Sequence, residues 1–575
     1  MKRTTPRVKA GLEGQRVAFS FDDGHDQFNL FGWTARNAGA PWDGDLQACI
    51  LDDIDHTHTV VGALEDAGFQ VKIKATLATA LTGRVRDMLA DDKAAQGRIA
   101  SVNARIRKSG MKLRPDQRDG IRWLSARHRA LLGDEMGLGK TVQSIVAVPE
   151  GAPVMVVCPA VAKENWSDEF KMWRGKSFTT ERLVGRKSFR YPKPGEVLIL
   201  NYELLPAVPP EGCPEGLVLI ADEAHYCKGI TRRAERFQDL SKAVRVASGR
   251  TWILTGTPML NRPSELWYVL KAAGLHKVAY GSDRNFMRIF AGRYERRGGF
   301  RVLIWDADNV DRKAAIAGLR RVQLRRNRKQ VLPNLPDKII QKVPVNDLSS
   351  QCLRMADKAL ARLKEGGIDL RDAIMRAGDK MPGFPEISSA REALAQAKTP
   401  VLLEMVKDYE RQDQKLVVFS AHTATINLLG RRKDWAKIVG GMKHTDRAEI
   451  VKDFQKGKLK GIACTIGAAG TAITLTEASN MLFVDLPWSP KLAQQAEDRI
   501  ARFGQKNTCF IKQLVAVHPL DYRVNELLGI KAEIIDATVE AASVNRLKET
   551  NNSKPLTTVV EKAEADSHLT LASSL

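Results

Sequence analysis

The chain has 575 residues, enough for about four domain-sized units, and carries 90 Lys+Arg against 67 Asp+Glu, a formal charge of +23. A hydrophobic fraction of 43% excludes a disordered polyampholyte, and the lack of an apolar run near ~18 residues excludes a membrane-spanning helix. The basic excess fits a polyanionic partner, nucleic acid before an acidic membrane, because neutralised phosphates release counterions.

Seven cysteines without a C-x-x-C leave no basis for a disulfide framework, a structural zinc or a redox motif, and they predict a reducing cytoplasmic setting. At the start, Met1, Lys2 and Arg3 are followed by Thr4, Thr5, Pro6 and Arg7 instead of an apolar segment, so no signal peptide is expected. Residues 1–108 are expected to form a small accessory domain. Residues 1–110 hold 15 basic and 14 acidic side chains, a near-neutral balance that weakens a DNA-binding reading and supports a protein-contact or packing domain at least as well. Within them, 20–25 (S-F-D-D-G-H) resembles the strand end of metal-dependent polysaccharide deacetylases. His56-Thr57-His58 has the wrong spacing for the second histidine pair of such a site, so the segment is read as a turn.

From 109 to 278 helical stretches alternate with short apolar runs at 154–158, 197–200, 217–221 and 251–254, the pattern of parallel strands buried on both faces. The loop 133–143 (G-D-E-M-G-L-G-K-T-V-Q) ends as a phosphate cradle should. Gly137 and Gly139 let backbone N–H groups approach phosphate oxygens, Lys140 reaches the β/γ-phosphates, and the Thr141 hydroxyl binds Mg²⁺. The strict phosphate-loop pattern fails at one place, where Asp134 stands for its first glycine. Eighty-two residues after Lys140, Asp222 and Glu223 leave a hydrophobic strand, so that one carboxylate can hold Mg²⁺ and its neighbour can polarise the attacking water.

Residues 279–395 read as a basic, mostly helical insertion and interlobe linker, with 379–389 as linker proper. Residues 282–330 hold 14 basic against 5 acidic side chains with Phe286, Phe290, Tyr294, Phe300 and Trp305 interleaved. That is the pattern of a duplex-backbone contact, with Arg320, Arg321, Arg325 and Arg326 as its candidates. A second series of apolar runs, at 416–419, 461–464 and 481–484, predicts a second α/β lobe over 396–546, and 547–575 reads as a flexible tail.

The order D-E-M-G-L-G-K-T then D-E-A-H resembles the Swi/Snf-type DNA-dependent ATPases of helicase superfamily two, over about 113–545. The run from Glu392 to Lys407 and the run 418–422 are similar to the compact annealing-helicase branch. The resemblance implies a P-loop NTPase of α/β class, with two tandem RecA-like lobes, a basic helical insertion and the small N-terminal accessory domain. It implies ATP and Mg²⁺ as cofactors, duplex or branched DNA as partner, and contacts to replication or repair proteins through residues 1–108. Residue by residue, Gln117 in L-R-P-D-Q matches the adenine-reading position, although Asp116 stands where an aromatic is common. Asn165 and Trp166 match a segment tracking the DNA backbone, and 254–258 (L-T-G-T-P) matches the motif coupling hydrolysis to DNA grip. Gly470, within 467–475, matches a motif beside the nucleotide, and 495–505 matches Q-x-x-D-R-x-x-R-x-G-Q. There Gln495 contacts the nucleotide, while Arg499 and Arg502, three apart and so on one helical face, are arginine fingers. Catalysis is expected from Lys140, Glu223, Arg499 and Arg502. A strand-separating helicase and a non-hydrolysing DNA- or polymerase-binding scaffold stay open as alternatives.

Overall fold

The computed structural model describes residues 6–14, 16–21, 27–107, 112–297, 300–346, 348–365, 384–469, 473–502, 504–543 and 557–561. The chain divides into two compact units, Met1–Asn327 with Asp536–Leu575, and Arg328–Ile535. Among the described residues no helix is long and apolar enough to cross a membrane. The deacetylase-like turn at Asp22 to His25 lies outside them.

The first unit opens with a small α/β domain. Its strands β1 (Arg7–Glu13), β2 (Arg16–Phe21), β3 (Trp42–Asp43), β4 (Ala48–Leu51) and β5 (Gln70–Ile73) lie in the order β3-β4-β2-β1-β5. Only β5 runs parallel to its neighbour β1. Alternation sends Val8, Ala10, Val17, Phe19, Val71 and Ile73 into one core, where the helices Phe28–Asn37 and Thr57–Asp66 add Phe31, Val60 and Leu64. Val559 and Val560 complete that core, from a short helical segment inside the stretch read as a flexible tail.

A 32-residue helix, Ala75–Ile106, joins this domain to the next sheet. Leu77, Leu81, Val85 and Met88 pack in the accessory core, and Ala95, Ile99, Val102 and Ile106 in that of the following lobe. The lobe's strands are β6 (Arg129–Leu132), β7 (Val154–Cys158), β8 (Thr179–Arg182), β9 (Glu196–Asn201), β10 (Val218–Asp222) and β11 (Arg250–Leu254). β12 (Gly292–Arg297) and β13 (Phe300–Trp305) follow as a separate antiparallel hairpin, so the stretch read as mostly helical contains a strand pair. The two-residue β14 (Gln323–Leu324) then returns to the edge of the lobe sheet. The order is β14-β6-β11-β10-β7-β9-β8, all parallel. β7 is buried along its whole length and β10 over its first four residues, and each large aliphatic side chain so buried stabilises the sheet by about 1.5–3 kcal/mol.

Ion pairs fix the accessory domain and its long helix to the amino ends of this sheet. Arg129, the first residue of β6, pairs with Asp53 at 2.9 Å, and Arg250, the first residue of β11, pairs with Asp91 at 2.9 Å. Arg84 forks onto Asp55 at 2.5 and 2.8 Å and donates to the Ala126 carbonyl at 2.7 Å. Gly39, at φ +107°, brings the backbone so close that a Cβ would sit 2.8 Å from the Val278 carbonyl oxygen.

The second unit is a parallel sheet of β15 (Lys338–Val345), β16 (Leu416–Ser420), β17 (Trp435–Ile438), β18 (Gly461–Thr465), β19 (Asn480–Phe483) and β20 (Cys509–Ala516). Its order is β15-β20-β19-β16-β18-β17. The helix Phe384–Ala397 begins inside the stretch read as linker; Pro385 falls in its first turn, where a missing N–H costs nothing.

Candidate nucleotide site

Ligands of parallel sheets gather at the carboxyl ends of the strands, and the predicted residues of the first unit meet there. β6 ends at Leu132, and the loop from Gly133 leads into the helix Lys140–Ala147. Gly137 and Gly139 take φ of +84° and +80°, left-handed values that turn successive N–H groups to one side. A Cβ at Gly139 would come within 2.5 Å of the Gln117 amide nitrogen, and the left-handed backbone there favours glycine whatever the space. Gln117 is buried, and its carbonyl accepts the Arg114 backbone N–H at 3.1 Å. The neighbouring Asp116, at the position where an aromatic is expected, pairs with Arg114 at 2.8 Å. Lys140 Nζ donates to the Asp134 carbonyl at 2.8 Å, and burial, opposed by Glu223, Asp134 and Asp222, holds its pKa below the ordinary lysine value.

β10 delivers the two carboxylates to the same edge. Asp222 Oδ2 accepts the indole N–H of Trp166 at 2.8 Å, Oδ1 accepts the Glu223 backbone N–H at 3.0 Å, and the Tyr202 hydroxyl donates to the Asp222 carbonyl at 2.8 Å. Burial and the adjacent Glu223 push the Asp222 pKa up to about 6, against the Trp166 hydrogen bond and Lys140. Glu223 adopts φ +51°, an unusual turn for a non-glycine, and its Oε2 lies 3.1 Å from His225 Nδ1. Gly256 of the L-T-G-T-P segment lies against the phosphate loop. A Cβ there would be 3.2 Å from the Asp134 carbonyl oxygen and 3.4 Å from Lys140 Nζ.

In the second unit the helix Pro490–Glu497 stops before the arginines. The expectation that Arg499 and Arg502 share a helical face is therefore corrected: they lie in the turns that follow. They converge all the same. Arg502 donates to the Ile473 carbonyl and the Thr474 hydroxyl, both at 3.0 Å, and Arg499 reaches the same Ile473 carbonyl at 3.5 Å. Asp498 holds this turn from behind, accepting from Arg328 and, at 2.6 Å, from Lys338. Gln495 is buried in the helix, and Gly470 lies outside the described residues.

Two sequence-based assignments change. Trp166 is 1% exposed and its indole donates to Asp222, so this side chain is not offered to DNA. Of the basic stretch, Arg325 and Arg326 are buried against the phosphate loop, Arg321 is half-buried and donates to the Ala279 carbonyl at 3.0 Å, and Phe286 and Phe290 are core residues. Arg320 is exposed, as are Arg312 and Lys313. Residue type and spacing offer no cue to the partners of Asp222. Asp134 does carry one, because an aspartate inside a glycine loop needs a cation if it is buried.

The donor set fits a nucleoside triphosphate with a hard divalent cation. Burial, and after it the charge of the adjacent Glu223, raises the Asp222 pKa, and a divalent cation would favour the ionised carboxylate there.

The SNF2-related domain family matches residues 116–367, and the helicase conserved C-terminal domain matches 397–504. In this order, on two parallel-sheet α/β units, these matches mark tandem RecA-like lobes, and the chain carries the SNF2-related and helicase C-terminal domains of a Swi/Snf-type ATPase. Its likeness within that class is to the annealing-helicase branch. The DNA annealing helicase and endonuclease ZRANB3 of Bos taurus is 30% identical over 454 residues, covering 74% of this chain and 40% of that protein. The SWI/SNF-related matrix-associated actin-dependent regulator of chromatin subfamily A-like protein 1 of Xenopus tropicalis is 27% identical over 451 residues, 74% of this chain and 45% of that protein. The chain thus spans less than half the length of these relatives. The Sulfolobus solfataricus SWI2/SNF2 ATPase core in complex with dsDNA aligns over 79% of this chain and 96% of its own, at 22% identity and a TM-score of 0.34, too low to carry any argument.

Proposed function

We propose that the protein is a DNA-stimulated ATPase that converts hydrolysis into movement along duplex or branched DNA, in remodelling, branch migration or annealing. The observation that carries the reading is the meeting of Lys140, Asp222 and Glu223 at the carboxyl ends of one sheet, with a second lobe whose Arg499 and Arg502 converge on one carbonyl.

Bound Mg²⁺ supplies charge neutralisation to the transferring phosphoryl group. Lys140 takes the β/γ-phosphate charge, the Thr141 hydroxyl and Asp222 hold the cation, and Trp166 keeps the Asp222 carboxylate turned and ionised. Glu223, beside that carboxylate, orients the attacking water. Arg499 and Arg502 stabilise charge in the transition state, a role worth about 10³–10⁵ in rate where such fingers operate. Gln117 reads the adenine edge, and Gln495 contacts the nucleotide. The words DNA annealing helicase in the name of the ZRANB3 relative support DNA as the partner and annealing among the activities proposed.

Phosphate release measured with duplex, single-stranded and branched DNA tests this. DNA should raise the rate, Lys140→Ala should abolish it, and Glu223→Gln should lower it by about 10²–10⁴ while nucleotide still binds. Full turnover in either variant, or a rate indifferent to DNA, refutes it. Triplex displacement without forked-duplex unwinding separates a translocase from a strand-separating helicase.

A further inference from the structure

The chain leaves the first unit along the phosphate loop. β14 aligns Gln323 and Leu324 with Leu131 and Leu132 of β6, so the exit strand runs beside the strand that opens into the loop. Gly133 N–H donates to the Leu324 carbonyl at 2.7 Å, and Glu135 N–H donates to the Arg326 carbonyl at 3.0 Å. Arg325, 1% exposed, donates to the carbonyls of Gly133 at 2.5 Å and Gly256 at 2.9 Å. Arg326 forks onto the Asp134 carboxylate through Nε, at 3.0 Å, and one terminal nitrogen, and its backbone N–H adds a bond at 3.0 Å. Gln143 closes the cluster, donating to Asp134 at 3.0 Å and accepting from Arg326 at 2.7 Å. Asp134 has no exposed surface. A buried carboxylate is tolerated only with its cation in place, so the loop carrying Lys140 is tied to the position of Arg326.

Two residues later Arg328 belongs to the second unit, where it donates to Asp498 and to the Ala501 carbonyl, within the turn that carries Arg499 and Arg502. Asn327 alone separates the two anchored arginines, a span of under about 4 Å per residue with little slack.

We propose that Arg326, Asp134 and Gln143 form a positioning device that sets the phosphate loop, and that this device makes nucleotide handling depend on the segment joining the two units. Arg326 is then a positioning residue, acting on Lys140 through Asp134. Movement of the joining segment reaches the loop through hydrogen-bonded side chains instead of being dissipated in flexible chain. The inference rests on the reading of the loop as an ATP site.

The experiment compares the parent with Arg326→Gln, Asp134→Asn, the double variant, and a Gly-Ser-Gly insertion after Asn327, all in the full chain. Affinity for a fluorescent ADP analogue without DNA, KM and kcat for ATP with and without DNA, and melting temperature are read for each. Each single substitution should weaken ADP-analogue binding and raise the KM for ATP by about tenfold. The double variant should be no worse than the weaker single, because the pair acts as one unit. The insertion should leave DNA-independent ADP affinity within about twofold and cut DNA stimulation by about fivefold or more. Folded single variants that bind ADP like the parent, multiplicative losses in the double, or an insertion with full DNA stimulation would overturn the proposal. If the substitutions prevent folding, the insertion decides alone. Lys140→Ala serves as reference: should it too bind ADP normally, the nucleotide reading fails, whereas normal binding confined to Arg326→Gln sinks only the positioning device.

Discussion

Replacing Trp166 by Phe tests the acidic pair at its least obvious support. The indole N–H donates to Asp222 at 2.8 Å, and Phe preserves most of the packing against Phe170, 6.3 Å away between ring centroids. A hydrogen bond to a charged group contributes about 1.5–3 kcal/mol, or about one to two pH units of carboxyl ionisation. Burial and Glu223 already raise the Asp222 pKa to about 6, with Trp166 pulling the other way. Losing Trp166 therefore moves it up by about one unit or more. The sign is fixed: the ionised carboxylate holds the cation, so activity is lost as pH falls through the pKa, and the variant loses it at the higher pH. The assay is kcat/KM for ATP from roughly pH 5 to 8.5 with saturating DNA, at two Mg²⁺ concentrations. The acid limb should shift upward in the variant, recover near the alkaline end, and move back down as Mg²⁺ competes with the proton. An acid limb that stays put in a variant melting like the parent, or that shifts down, refutes the role given to Trp166.

Arg84→Ala strands the buried Asp55 carboxylate and should cost about 3–5 kcal/mol, read as a lowered urea midpoint with early proteolysis in the accessory domain. Neutralising the exposed Arg312, Lys313 and Arg320 should reduce the slope of log DNA affinity against log salt by about 0.9 for every phosphate left without its cation, whereas Arg325→Ala should act mainly on stability. Val560→Asp puts a charge into the accessory core and should lower the melting temperature by several degrees, a shift of about 4 °C or less per kcal/mol for a unit this size, while an unchanged melt would detach 557–561 from that core.

Much of the fold was legible because parallel strands buried on both faces are continuous apolar runs. The runs at 154–158 and 461–464 match β7 and β18 to within a residue. Edge and short strands carry no such signal. β8, mostly exposed with sequence T-T-E-R, and the two-residue β14, whose partner β6 lies almost 200 residues earlier, are defined by pairing and not by their own composition. The phosphate loop and the acidic pair are read from residue type and spacing, and the structure brings both to the carboxyl ends of one sheet. What composition misjudged was the destination of the charges. Of 14 basic residues in 282–330, Arg325, Arg326 and Arg328 are buried, with carbonyl or carboxylate partners. A count of charges along a chain cannot distinguish a guanidinium that faces solvent from one that neutralises a carboxylate distant in sequence, so the exposed surface of this stretch is less basic than the arithmetic implies.

The same two strands organise both ends of the first unit. Arg129 and Arg250 begin β6 and β11 and hold Asp53 and Asp91 of the accessory part, while the other ends of these strands lead into the phosphate loop and into Thr255, Gly256 and Thr257. A strand of four or five residues spans about 13–17 Å, too far for any side chain of the accessory domain docked there to touch nucleotide. Whatever that domain senses must reach the site as displacement of β6 and β11, which are paired to each other from Thr251 to Leu254 and held between neighbours on both sides. Such strands move together or not at all. An effect of the accessory domain on hydrolysis would therefore appear jointly at the phosphate loop and at the 255–257 segment, in nucleotide affinity and DNA coupling together, and not in one without the other.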